Sequence, residues 1–492
     1  MARILIICVG SRGDAEPFCA LAAQLAAQSS VDKVELFVQK DLKYLVPSHD
    51  KIQCHELPFT QMSFYDYAGK ERTPPQAGSD HPNPRVRFLG IVTDIMGELV
   101  LPCLAQIMSV AAGNSNDKSD SNNSRPVNAI VASSLARQVA LEAARQLTQS
   151  YEARVSVYLV QLQSLVPTKD YPHYSCLDKC LQATTTMSNG GNDKNSLQEY
   201  FDSYIELERH QFEFLKVHAL EKLANDNSNN NNNKDHSNNS WGFQADMIPV
   251  LTGDSPRNIW MVNAVSRHIV PAPTDAGPKV LNVGGLAAAY IPSNFVPPSE
   301  LTEFFQRHPR PICFGYGSMP FAQAAMVVNT LYRLDRAAVL VGSAMNAVLE
   351  TNDDDQSDDP EKTAWIKDKL RVVASVPYPW LLPQCNMMFC HGGAGTVHAA
   401  LRAGIPAVIS PLLGDQFFFA QYLEARGWGV SASGNLGSLT EQDIVESIPK
   451  AEVCQEACRA VGEAMRGDDQ EGPNILSNAI LEQVMGYGGS VG

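Results

Sequence analysis

Four short clusters in this 492-residue chain carry side chains able to do chemistry. His391-Gly392-Gly393-Ala394-Gly395-Thr396 is the densest. Glycines let a phosphate approach the backbone, while an imidazole and a hydroxyl beside a helix start add side-chain donors to a cradle of amides. Ser318 follows Gly315 and Gly317 at the end of an apolar run, ahead of a helix beginning near Phe321, a second helix start able to face the same pyrophosphate. Asp415 and Gln416 pair an acceptor carboxylate with an amide, which suits the vicinal hydroxyls of a sugar. Gly13 and Asp14 follow the first apolar run, where a carboxylate could take the proton of an attacking hydroxyl. Each cluster also has a plainer reading. Glycine turns reverse the chain, and Ser318, Asp415 and Asp14 can each cap a helix, where the dipole would weaken Asp14 as a base. There is no G-x-G-x-x-G and no Gly-Lys-Ser/Thr, so neither the dinucleotide fingerprint nor a P-loop is present.

The elements that must position these residues follow from hydrophobic spacing. Met387 to Cys390 reads as a strand, Thr396 to Ala403 as a helix stopped by Gly404, and Pro406 to Ser410 as the next strand. In such a parallel unit the turn lies at the carboxyl end of the strand and the amino end of the helix, where an anion is favoured. Arg3 to Val9 reads as a strand buried on both faces. It is followed by the Gly10 to Asp14 loop and by helix spacing at Phe18, Leu21, Ala22 and Leu25, with Pro17 in a first-turn position, and Val34 to Val38 is the next strand. Leu89 to Ala112 is a helical region interrupted by Pro102. Asn128 to Ala132 and Arg154 to Val160 are strands flanking a helix at Leu135 to Leu147, and Leu165 to Tyr174 is a loop at the edge where ligand crevices form. Further strands are expected at Ile312 to Gly315, Ala338 to Gly342, Val372 to Val376, Ala407 to Ser410 and Val430 to Ser433. Asparagine-rich tracts near 114–124, 188–196 and 225–240 cannot bury enough surface to fold and read as disordered insertions.

The glycine and proline punctuation after Val280 divides the chain into an amino-terminal domain at 1–283, a linker at 284–298 and a carboxyl-terminal domain at 299–492. The fold class is α/β, with two Rossmann-like domains facing across a cleft. A net charge of −15 and a pI near 5.2 provide no basic stripe for nucleic acid. The eleven cysteines are scattered without zinc-ligand spacing, as in a reduced compartment. Met1 to Val9 is too short for a signal peptide and no run reaches membrane-spanning length, which points to a cytoplasmic protein. Phe201, Ile205, Phe212, Leu215 and Leu223 share a helix face. With six acidic residues against three basic between Glu199 and Leu223, that face suits docking on its own domain better than anionic lipid, though a transient membrane-surface contact stays open.

Taken in order, Gly10-Ser11-Arg12-Gly13-Asp14 with Glu16-Pro17, Gly317-Ser318, Val376-Pro377-Tyr378-Pro379-Trp380-Leu381, His391 to Thr396 and Gly414-Asp415-Gln416 resemble the family 1 nucleotide-sugar glycosyltransferases of the GT-B fold. The similarity is strongest to the branch holding sterol 3β-glucosyltransferases and glycopeptide-antibiotic glycosyltransferases. It is dense from Arg371 to Gly429 and good over the first twenty-five residues. The resemblance implies an inverting, metal-independent transfer of a hexose, glucose foremost, from a UDP-sugar to a hydroxyl of a lipophilic small molecule such as a sterol. The UDP-sugar is then a co-substrate, and no cofactor is implied. Asp14 would be the base. Gly13, Ser318, His391 and the amides of Gly393, Ala394, Gly395 and Thr396 would hold the donor's diphosphate, the backbone near Val376 the nucleobase, and Asp415 with Gln416 the sugar. Two positions depart from the pattern: Tyr378 stands where histidine is common, and Val397 where a second threonine often follows the turn. A non-catalytic nucleotide-sugar binder and an enzyme isomerising the nucleotide sugar are the competing readings.

Overall fold

The computed structural model describes residues 1–61, 63, 96–113, 126–151, 154–162, 254, 258–286, 290–292, 295–317, 321–342, 359–412, 415–468 and 472–486. Ser318, Gly414, the loop at Leu165 to Tyr174, the helix expected at Glu199 to Leu223 and the asparagine-rich tracts lie outside these residues.

Two parallel sheets make up the framework. The first is built from β1 (Ala2–Ile7), β2 (Val31–Gln39), β3 (Ile52–Leu57), β4 (Ala129–Ser133), β5 (Ser156–Gln161), β6 (Ile259–Asn263) and β7 (Val280–Asn282), in the order β3-β2-β1-β4-β5-β6-β7. The second uses β8 (Ile312–Gly315), β9 (Ala338–Val341), β10 (Leu370–Val373), β11 (Met387–Cys390), β12 (Ala407–Ile409) and β13 (Gly429–Ser431), in the order β10-β9-β8-β11-β12-β13. Each order reverses once, between β1 and β4 and between β8 and β11, which is where open α/β sheets hold ligands at their carboxyl ends.

Strand β1 has the two-faced burial expected of a central parallel strand. Leu5 and Ile7 pack with Ile107, Val139 and Leu147 on one face, while Ile4 and Ile6 pack with Phe18, Leu21 and Leu25 on the other. The second sheet is covered likewise, by Val397, Leu401, Phe419 and Leu423 on one face and by Val327, Leu331, Ile444 and Ile448 on the other.

Two local expectations are corrected. The first helix runs from Arg12 to Ala26, so Pro17 lies inside it and not in its first turn. A proline there removes the amide that would bond the Gly13 carbonyl four residues back, so that oxygen lacks its usual helical donor at the helix mouth. Strand β10 ends at Val373, short of the expected Val376, because the chain turns toward Pro377 once the Val373 carbonyl has accepted from the Gly342 amide. Around Pro102 the helical region breaks into a wide turn at Met96–Val100, a tight turn at Leu101–Cys103 and a helix at Leu104–Ala111.

The last described helix, Gly472–Gly486, packs on the first sheet, where Leu476 and Ile480 join the core beside Phe18 and Leu21. Gly472 permits the crossing, since a Cβ there would lie 2.5 Å from the Gly285 carbonyl oxygen. In the other direction, Val265, Ile269 and Val270, just beyond β6, are buried in the core of the second sheet. Among the described residues no helix is long and apolar enough to cross a membrane, and every described cysteine is a free thiol.

Candidate active site

The glycine turn after β11 is built as the sequence suggests. Gly393 is the N-cap of the helix Ala394–Ala403 with φ −62° and ψ 144°, and it has no side chain to cap with. The first intrahelical bond runs from the Val397 amide to the Gly393 carbonyl, so the amides of Ala394, Gly395 and Thr396 point out of the helix end unpaired by the helix itself. Gly392 has φ +89°, and a Cβ there would meet Ile409 at 2.5 Å, so the chain turns tightly against β12.

His391 lies across this turn. A Cβ on Gly393 would sit 2.6 Å from its Nε2 and one on Gly317 would sit 3.3 Å from its Cε1, so the imidazole is held between the turns that follow β11 and β8. Its Nδ1 is buried and has no hydrogen-bond partner. Burial drives its pKa down to about 4. At neutral pH His391 therefore brings an N–H donor to the turn and no charge until an anion arrives.

Asp415 occupies the N-cap position of the helix Gln416–Ala425, without its side chain capping that helix. Gln416 is buried, and its Oε1 accepts from the Leu412 amide at 2.8 Å, so this residue braces the turn after β12 in addition to any ligand role. Val376 is buried beside Tyr378, whose hydroxyl would lie 2.5 Å from a Cβ on Gly315. Tyr378 thus fills the space at the end of β8, and burial pushes its phenol well above the ordinary value. Val397 is fully buried in the core beneath its helix, on the side away from the turn's mouth.

Asp14 is held across from these groups. Ser11 caps the first helix, and Asp14 is its reciprocal partner: Oδ2 accepts from the Ser11 amide at 2.7 Å and from the Ser11 hydroxyl at 2.9 Å. The cap and the base readings are therefore compatible, because both bonds go to Oδ2 and leave Oδ1 for a proton. The net effect on acidity is opposite to that expected from the dipole alone. Burial raises the Asp14 pKa, and the Ser11 bonds offset it only in part.

The two loops meet. A Cβ on Gly395 would lie 3.7 Å from the Gly13 carbonyl oxygen, the one released by Pro17. Beside this contact the Arg12 guanidinium holds Glu16 at 2.6 Å and donates to the Ser375 hydroxyl at 2.6 Å, next to Val376. Asp14, Gly13, His391 and Gly393 to Thr396 are thus gathered at the two sheet edges where strand order reverses. Several contributors escape sequence reasoning: Gln39 and Ser133, which grip the Gly10 loop; Arg12 with Ser375; and His398. The His398 Nδ1 donates to the Ala394 carbonyl at 2.7 Å and its Nε2 accepts from the Ser266 amide at 3.1 Å, a neutral tautomer pinned between the two sheets.

Comparison with known proteins bears on the fold. Against solved structures, the chain superposes on the calicheamicin glycosyltransferase CalG4 with a TM-score of 0.57, covering 100% of this chain and 99% of that one at 12% identity. It also superposes on the UDP complex of LpCGTa with a TM-score of 0.56 over 98% and 99% of the two chains at 14% identity. The chain has the GT-B fold. Residues 345–476 of this GT-B chain match the family model described as erythromycin biosynthesis protein CIII-like, C-terminal domain. The chain is similar to a sterol 3-beta-glucosyltransferase of Arabidopsis thaliana, 32% identical over 170 residues that cover 34% of this chain and 24% of the relative. The resemblance seen in the motifs to the sterol glucosyltransferase branch is therefore borne out, over a stretch that spans about a quarter of that relative's length.

Proposed function

We propose that this protein is an inverting glycosyltransferase that moves a hexose, glucose foremost, from a UDP-sugar to a hydroxyl of a lipophilic small molecule of the sterol class. The observation that carries the reading is the approach of Gly13 to Gly395, which sets the half-buried Asp14 carboxylate opposite an uncapped helix start. In this reading the carboxyl-terminal domain, 299–492, grips the donor and the amino-terminal domain, 1–283, presents the acceptor, with 284–298 as linker.

The chemistry follows from the residues. The acceptor oxygen attacks the anomeric carbon from the face opposite the diphosphate, and its proton passes to Oδ1 of Asp14. The bond from the anomeric carbon to the phosphate oxygen breaks, and the electron pair leaves on UDP. The amides of Gly393, Ala394, Gly395 and Thr396, the helix dipole and the His391 N–H meet that charge without a metal ion. As the diphosphate settles, His391 becomes easier to protonate, so it offers more stabilisation to the leaving group than to the free site. Gly13 and Ser318 complete the diphosphate site, the backbone at Val376 receives the uracil, and Asp415 with Gln416 orients the sugar. A raised pKa suits Asp14 as a base, because a carboxylate that resists ionisation takes a proton more readily. No step calls for a nucleic acid or a resident cofactor, and the compartment is the cytoplasm.

The test is mass-spectrometric detection of glycosylated product from UDP-glucose with sterols and other hydrophobic alcohols, together with UDP release. Acceptor-dependent release with product formation is expected. Tight UDP binding without turnover of any acceptor would make the protein a nucleotide-sugar binder instead, and loss of UDP-glucose without an acceptor would point to isomerisation or hydrolysis.

A further inference from the structure

We propose that Gln39, at the end of β2, is the positioning residue that sets the Asp14 carboxylate for catalysis. The inference rests on Asp14 serving as the base. It starts from the way the Gly10 loop is tied down. Strand β1 ends at Ile7, and the last backbone bond beyond it toward β2 runs from the Cys8 amide to the Phe37 carbonyl at 3.0 Å. Past that point β1 parts from its neighbours, as it must at a switch point, and the next peptides would face the interior unpaired.

Two fully enclosed side chains take over the pairing. Ser133, on the β4 side, accepts from the Val9 amide at 3.0 Å and donates to the Val9 carbonyl at 3.0 Å. On the β2 side, the Gln39 Oε1 accepts from the Gly10 amide at 3.0 Å and its Nε2 donates to the Gly10 carbonyl at 2.7 Å. Gln39 is 0% exposed. A primary amide of this length offers one donor and one acceptor in the spacing of a peptide edge at every pH, so the grip fixes both ends of the Gly10 unit.

What Gln39 fixes is the floor beneath Asp14. Gly10 has φ +148°, a conformation open to glycine, and a Cβ there would lie 2.4 Å from Oδ2 of Asp14 and 2.5 Å from Cγ. The carboxylate therefore rests directly on the Gly10 backbone, with the Ser11 amide and hydroxyl holding the same oxygen. If Gly10 rotates, the surface under the carboxylate goes with it and Oδ1 loses its aim across the cleft. Catalysis is sensitive to displacements of this size. Gln39 touches neither substrate, so its effect should appear in turnover and not in donor affinity.

The experiment compares Gln39→Leu, Gln39→Glu and Asp14→Asn with wild type in steady-state transfer and in UDP affinity. The Asp14 carboxyl is titrated in parallel by NMR on protein carrying 13C-labelled aspartate, with Asp14→Asn assigning the signal. Gln39→Leu should lower kcat by about ten-fold or more with the UDP-glucose KM within about two-fold, and move the Asp14 titration toward the ordinary carboxylate value. Gln39→Glu can make both bonds only when protonated, so its activity relative to wild type should recover as pH falls. Unchanged kcat and an unchanged Asp14 titration in Gln39→Leu would overturn the proposal, as would a loss confined to UDP affinity or to thermal stability. If Asp14→Asn keeps full activity, the assignment of the base has failed. The NMR titration then still decides whether Gln39 positions Asp14.

Discussion

Gly393→Ala isolates the part proposed for His391 in holding the donor. At φ −62° and ψ 144° the Gly393 backbone lies where alanine is unstrained, so the change carries no conformational penalty, and removing a glycine from the unfolded chain should favour folding by a few tenths to about 1 kcal/mol. The new methyl, however, would sit 2.6 Å from Nε2 of His391, well inside contact distance. The ring must swing aside, which costs little because Nε2 is the far end of a side chain whose Nδ1 has no partner to lose. What is lost is one hydrogen bond to an anion, worth about 1.5–3 kcal/mol, or roughly ten- to 150-fold in UDP affinity. Calorimetric titration with UDP and a thermal melt on the same preparation read the two effects apart: weaker binding with an unchanged or slightly higher Tm. In a cycle with His391→Ala the losses should not add, because the second change has no bond left to break. Wild-type UDP affinity in Gly393→Ala, or full additivity in the double variant, would show that this ring position plays no part in donor binding.

Other perturbations separate the remaining contributions. Gly10→Ala places a methyl 2.4 Å from the Asp14 carboxylate on a backbone with φ +148°; strain of about 1–3 kcal/mol should lower Tm, and turnover should collapse with it. His391 is neutral when folded, with a pKa of about 4 against an ordinary 6.5, so its share of stability is present above the ordinary value and is lost as pH falls from there toward 4. The ceiling is about 3 kcal/mol, and urea melts across that range should show His391→Gln to be less acid-sensitive than wild type. His398→Ala leaves the Ser266 amide without its acceptor between the two sheets, which should cost about 1–3 kcal/mol by the same melts while leaving the Asp14 titration where it was.

The architecture was readable because a parallel α/β chain announces itself by apolar runs that end in glycine turns. β8, β11 and the turn at His391 could be located from composition alone, and five motifs in order named the family resemblance. What escaped were groups whose roles depend on partners far away in the chain. Gln39 looks like an unremarkable polar end to a strand until Gly10, 29 residues earlier, is seen between its amide oxygen and nitrogen. His398 looks like one more helical residue until Ser266, 132 residues distant, takes its Nε2. Pro17 was misplaced by half a turn and more, because the cap that starts its helix is the Ser11 and Asp14 pair, and a carboxylate that could serve as either cap or base gives no sign in sequence that both cap bonds fall on one oxygen. The balance of its acidity also needed the structure, since the dipole is legible from position and burial is not.

The most direct measurement of the central claim is transfer from UDP-glucose to a sterol by Asp14→Asn beside wild type, with UDP affinity determined on both. The asparagine keeps a side-chain oxygen for the Ser11 bonds and, by removing a partly desolvated charge, should leave stability at neutral pH equal or slightly higher. Transfer should fall by about a hundred-fold or more while UDP affinity stays within about two-fold. Transfer at the wild-type rate, or a loss of UDP binding that matches the loss of turnover, would contradict the assignment of Asp14 as the base opposite the diphosphate clamp.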